Sequence, residues 1–113
     1  MTIDDLLLAD GSQDYYDPSL RVTLEAHMDY LKNSTGTLAI PVDPHDNLVY
    51  RNDLYGFLNK LNLKPCLHWI IMRMNDFSST TDFKESVTSI YLPSEQELER
   101  IRLMWKTTQK INA

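Results

Sequence analysis

Residues 67–83, "LHWIIMRMNDFSSTTDF", decide how the chain folds: a nearly continuous apolar run of eight residues stops at Asn75-Asp76, passes through a Ser/Thr loop and returns to Phe83. The run reaches back to Cys66 but carries His68 and Arg73 and is about half the roughly 20 residues a bilayer requires, so no membrane span is expected. Leu67, Ile70, Ile71 and Met74 recur at helical spacing, with Trp69 and Met72 on a second face. A helix apolar on two faces is expected to be covered on both. With glycine only at 11, 36 and 56, the following loop is expected to turn back by length alone.

Outward from that run, the chain punctuates itself. Asp17-Pro18 pairs an acceptor side chain with a residue suited to a first helical turn, and Leu20, Leu24, Met28 and Leu31 follow as one stripe of a helix 18–32, ended by "KNSTG". "TLAIPV" (37–42) reads as a strand or extended edge, "DPHDN" (43–47) as a turn and "LVYR" (48–51) as a second short strand. Asn52 or Asp53 caps a helix from Leu54 to about Leu63, in which Gly56 points to close approach of another element. Pro65 opens the helix that Asn75 ends, and "TSIYLP" (88–93) is a strand stopped by proline. Ser94 and Glu97 form a capping box for a last helix through about Ile111, with Leu98, Ile101, Met104 and Trp105 facing inward.

The chain of 113 residues is 42% hydrophobic, enough for one small core. Its net charge of −5 is uneven: residues 1–46 hold nine acids against Arg21 and Lys32, whereas 47–93 and 94–113 each sum to +1. Phosphate-backbone binding needs clustered Lys and Arg, so nucleic acid is an unexpected partner. The start "MTIDDLLLADG" lacks the basic region of a secretory signal, and the single cysteine fits folding in a reducing compartment.

Catalytic patterns are weak throughout. Cys66 and His68 would point about 200° apart on a helix, so they do not chelate together, and His27 and His45 are scattered. Cys66 among Pro65, Leu67 and Trp69 reads as a small hydrophobe, and Asp4-Asp5 lie on a segment expected to be an unstructured arm, unsuited to catalytic geometry. No enzyme activity, cofactor or metal is expected. Residues 1–17 read as an extended arm, its leucines Leu6, Leu7 and Leu8 and its tyrosines Tyr15 and Tyr16 either folded back on the domain or docked on a neighbour.

From Leu48 to Pro93 the expected order is strand, capped helix, apolar helix, polar loop and strand, a βααβ unit within a small α+β fold. With "RNDLYGFL" opening its first helix, Asn75 closing its second and "SIYLPS" ending it, this order resembles the LysM module. Trp69 before Asn75, followed by "TDF" and "LPS", is similar to the divergent LysM-like wedge proteins of contractile phage tail baseplates and related injection machines. The resemblance covers 46 of 113 residues. It implies a LysM-like module at 48–93, preceded by an arm (1–17) and a helix with its connecting segment (18–47), and followed by a C-terminal helix (94–113). It also implies a non-enzymatic structural subunit, made in the host cytoplasm and carried in several copies in the virion tail baseplate, whose partners are other baseplate or tail proteins. Leu6, Leu7, Leu8, Tyr15, Tyr16 and Trp105 are then the expected contacts. Two other readings stay open. In one, a peptidoglycan or N-acetylglucosamine polymer is recognised through Asn52, Asp53, Asp76, Ser78, Ser79 and Thr80; in the other, a cytosolic regulator uses the acidic surface.

Overall fold

The computed structural model describes residues 12–112, an α+β fold in which one two-stranded antiparallel sheet packs among helices. Asp17 caps the first of them, its carboxylate accepting from the Ser19 amide at 2.8 Å with Pro18 in the first turn. The expected helix 18–32 is two: α1, Pro18–Ala26, and α2, Met28–Asn33. The break falls at His27, whose ring Nδ1–H and backbone N–H both donate to the Thr23 carbonyl, so side chain and helix share one acceptor. The stripe survives the break, and Leu20, Leu24, Met28 and Leu31 are all buried.

β1, Leu38–Pro41, pairs antiparallel with β2, Ser89–Leu92, in the register Leu38–Leu92, Ala39–Tyr91, Ile40–Ile90 and Pro41–Ser89. The strand expected at 48–51 does not exist. Its first two residues end α3, Pro44–Val49, and the rest form the following turn. The supposed turn "DPHDN" is the start of that helix: Asp43 accepts from the His45 amide at 2.7 Å and Pro44 follows it, the same signature as Asp17-Pro18. Leu48 and Val49, 63% and 57% exposed, supply apolar character without a core. The helix is tethered instead by the buried Asn47, which donates to the Val87 carbonyl at 2.7 Å. The segment between the strands therefore carries three helices, with β1 as the first strand.

α4, Leu54–Lys60, is capped by Asp53, which accepts from the Gly56 amide at 3.0 Å. A Cβ at Gly56 would run into the Asp53 carboxylate, so the close approach inferred from this glycine comes from the helix's own cap, not from another element. A 3-10 turn at Pro65–Leu67 leads into α5, His68–Met74. Leu67, Ile70, Ile71 and Met74 are buried as expected. The second face is covered from two sides: the Arg21 guanidinium of α1 lies 5.0 Å from the Trp69 ring centroid, and the Tyr55 hydroxyl of α4 meets the Met72 sulfur at 4.0 Å.

Asn75 then does more than end the helix. Its side-chain amide donates to the Ile71 carbonyl at 2.7 Å and to the Tyr91 carbonyl at 3.0 Å, while its Oδ1 accepts from the Tyr91 amide at 2.8 Å. The turns that lack glycine are made by Asn52, Asn62 and Asp76, each with φ near +60°. Asn and Asp visit this left-handed region because their short side chains bond locally, so conformation rather than loop length replaces glycine here. Phe83 anchors the returning loop, fully buried and stacked on Phe57 with ring centroids 5.0 Å apart. β2 passes through Pro93 and the cap Ser94 into α6, Glu95–Asn112, with Ser94 Oγ accepting from the Glu97 amide at 3.3 Å.

Truncating Phe83 to Ala should therefore cost about 3–5 kcal/mol in urea unfolding, the range for a fully buried phenylalanine. A loss below about 1 kcal/mol would show that the loop is not fastened through this ring.

Candidate functional site

Residues 12–16 form a 3-10 turn, not the extended arm expected through residue 17. The fastening is a half-buried ionic cluster centred on Arg102 that the sequence did not announce. Arg102 of α6 donates to Asp14 Oδ2 at 2.7 Å and, through Nη2 and Nε, to Glu99 at 2.7 and 3.2 Å. Glu99 Oε1 also accepts from the Tyr15 hydroxyl at 2.8 Å. Tyr15 is only 4% exposed and belongs to the core of this chain. Trp105 likewise turns inward, half-buried, with its indole N–H donating to Ser19 Oγ of α1 at 2.9 Å. Tyr16 is exposed, and Leu6, Leu7 and Leu8 lie outside the described residues.

Hydrogen bonds from Arg102, then from Tyr15, hold the Glu99 carboxyl below its ordinary value, while burial and the bond to Glu99 push the Tyr15 phenol far up. The contribution of Glu99 is thus complete above the unfolded carboxylate range and fades as pH falls through the folded value. That of Tyr15 is complete below the ordinary phenol value of 10.0 and fades as pH rises through the folded one.

The carboxylates of Asp53 and Asp76 and the hydroxyl of Ser79, among the expected glycan residues, bond within the chain. The Asp76 carboxylate pairs with Lys32 of α2 at 2.5 Å. The Ser78 amide donates to Asp82, and Ser79 Oγ accepts from the Thr81 amide, capping a 3-10 turn at Thr80–Asp82. Asp53 caps α4, and the Asn52 amide donates to the Phe83 carbonyl at 2.8 Å. Asn52 and Asp53 therefore stand at the Phe83 end of the loop and Asp76 at the other.

Two apolar depressions stand out instead. One, between α2 and α6, is lined by His27, Tyr30, Arg100, Ile101 and Met104. Met104, expected to face inward, is 48% exposed here. Tyr30 donates to Glu97, Arg100 donates to the Tyr30 hydroxyl, and the Arg100 guanidinium lies 5.4 Å from the Tyr30 ring centroid. Glu97 is thus diverted from closing the expected capping box. The helical period places Met104 on the inward stripe, but in the structure it lines the rim of this depression beside His27 and Tyr30. The second depression lies at the Leu38–Leu92 end of the sheet, among Leu38, Leu63, Leu67, Ile71, Leu92 and Pro93.

Cys66 and His68 are both buried, and the His68 Nε2–H donates to the Leu63 carbonyl at 3.1 Å. Among the described residues, no three His, Cys, Asp or Glu are grouped to hold a metal ion, and no helix is long and apolar enough to cross a membrane.

Replacing Arg102 by Met should lower stability at neutral pH by about 3 kcal/mol, the low end for breaking a buried pair because Glu99 keeps contact with water. Measured by urea unfolding across pH, the gap to the unsubstituted chain should narrow below a pH of about 4, as the carboxylates protonate. A gap unchanged from neutral pH to that point would contradict the coupling of Glu99 to Arg102. In comparisons with known proteins, no family model matches this chain, and neither does any curated protein or solved structure.

Proposed function

We propose that the chain is a non-enzymatic structural subunit that bridges neighbouring proteins in a larger assembly. The sequence resemblance across 48–93, whose expected first strand is the end of α3 and a turn, names a contractile-tail baseplate as the assembly to test, with the subunit in several copies in the virion. The observation that carries the reading is the α2–α6 depression, where Tyr30, Arg100 and Met104 are held at the surface around an apolar floor. These residue types are enriched where proteins meet, and the bonds from Tyr30 to Glu97 and from Arg100 to Tyr30 preorganise two of them. Neighbouring tail proteins are the partners in this reading. The depression borders the C-terminal helix that carries Trp105, the contact expected from sequence, with Met104 and Tyr30 in its place. Sugar recognition gains less support, because the polar groups at Asp76, Ser78 and Ser79 already bond within the chain.

The test is co-sedimentation from gently lysed source cells. The unsubstituted chain should travel with a particle far larger than its own 13.2 kDa and in company with tube, sheath or baseplate proteins. A Met104→Glu chain, folded by circular dichroism, should remain at the top of the gradient. If the unsubstituted chain sediments alone, the assembly reading fails. If Met104→Glu still enters the particle, this face is not the contact.

A further inference from the structure

Among the described residues, sulfur that an oxidant can reach is concentrated at one position. Of the four methionines there, Met28 and Met74 are buried in the core, and the half-buried Met72 sulfur accepts from the Tyr55 hydroxyl at 4.0 Å. The chain's one cysteine, Cys66, is 4% exposed. Met104 differs from all of these: it is 48% exposed and lines the depression between α2 and α6. A thioether is oxidised when its sulfur lone pair attacks a peroxide oxygen, so the oxidant has to reach the sulfur from water. Leu103 beside it is similarly open, at 53%, but offers no lone pair.

We propose that Met104 is a site of reversible oxidation by hydrogen peroxide or an alkyl hydroperoxide, and that the sulfoxide keeps a protein partner off the α2–α6 depression. The first part stands on the shielding of the other sulfurs and the exposure of this one. The second rests on the assembly reading, in which Met104 is a contact. In the reaction the S–O bond forms as the O–O bond breaks. Sulfur gives up two electrons, and the peroxide leaves as water or an alcohol, taking up the proton of the transferred oxygen. A sulfoxide reductase reverses the step, with two thiols supplying the electrons and water and a disulfide as products. The sulfoxide oxygen is a hydrogen-bond acceptor that water satisfies in the free chain. Pressed between two apolar surfaces it loses that water, and the cost opposes docking. A docked partner also covers the sulfur, so oxidation acts on the subunit before it is incorporated.

Peroxide treatment of the purified full chain, followed by peptide mass mapping, tests the first part. Sulfoxide at Met104 should form at least about tenfold faster than at Met28, Met72 or Met74, with the circular dichroism of the folded chain retained. A comparable rate at any of those three would overturn the proposal, and so would a product that has unfolded. For the second part the same chain, isotope-labelled and partly oxidised, is added to a gentle lysate of source cells that lack it and sedimented. Labelled chain in the particle should carry at least about tenfold less Met104 sulfoxide than labelled chain left at the top of the gradient. Treatment with methionine sulfoxide reductase beforehand should abolish the difference. Equal Met104 sulfoxide in the two fractions would overturn the block on docking. If unoxidised chain also stays out of the particle, the assembly reading fails and the block with it, whereas the order of oxidation rates is read without any particle.

Discussion

The side-chain amide of Asn75 stands where a third strand would otherwise be needed. A two-stranded sheet is marginal alone, and the outward-facing N–H and C=O of Tyr91 would be left on an open edge. Asn75 meets both with its own acceptor and donor, and holds the Ile71 carbonyl with the same amide. One residue thereby joins the end of α5 to the middle of β2. The orientation of α5 follows from that joint, and with it the placement of Leu67, Ile70, Ile71 and Met74 in the core. β2 runs on through Pro93 into α6, so the joint also aims the helix that carries Arg102 and Met104.

Much of this was readable where the chemistry is local. Asp17-Pro18, Asp53 and Ser94 cap helices as their side chains dictate, and the stripes Leu20–Leu31 and Leu67–Met74 are buried because helical period and burial agree. The misreading at 48–51 had a local cause too. Leu48-Val49 look strand-like by composition, but Asp43-Pro44 is a helix start with the same signature as Asp17-Pro18. What stayed hidden depends on distant pairing. Nothing near Arg102 announces that Asp14, 88 positions away, lies across from it, and the bond of Asn75 to Tyr91 is visible only once the sheet is formed.

The same distinction governs the surface. Asn52, Asp53, Asp76, Ser78 and Ser79 are the residue types that bind sugars, yet Asp53 caps α4, Ser79 caps the turn at Thr80–Asp82 and Asp76 pairs with Lys32. Tyr15 and Trp105 are the residue types that anchor interfaces, yet one completes an ionic cluster and the other leans on α1. Among the exposed apolar side chains, Tyr30 and Met104 border the depression between α2 and α6, and Leu38 borders the one at the end of the sheet.

Amide hydrogen exchange at Tyr91, followed by nuclear magnetic resonance, tests the role of Asn75 most directly. The Tyr91 N–H points away from β1, so without Asn75 it would face an open edge. The account predicts protection at Tyr91 comparable to that of the core helices in the unsubstituted chain. It also predicts a drop of about tenfold or more at Tyr91 in Asn75→Ala, in excess of any change at Ile70. Exchange at Tyr91 that is already fast in the unsubstituted chain, or no faster after the substitution, would contradict it.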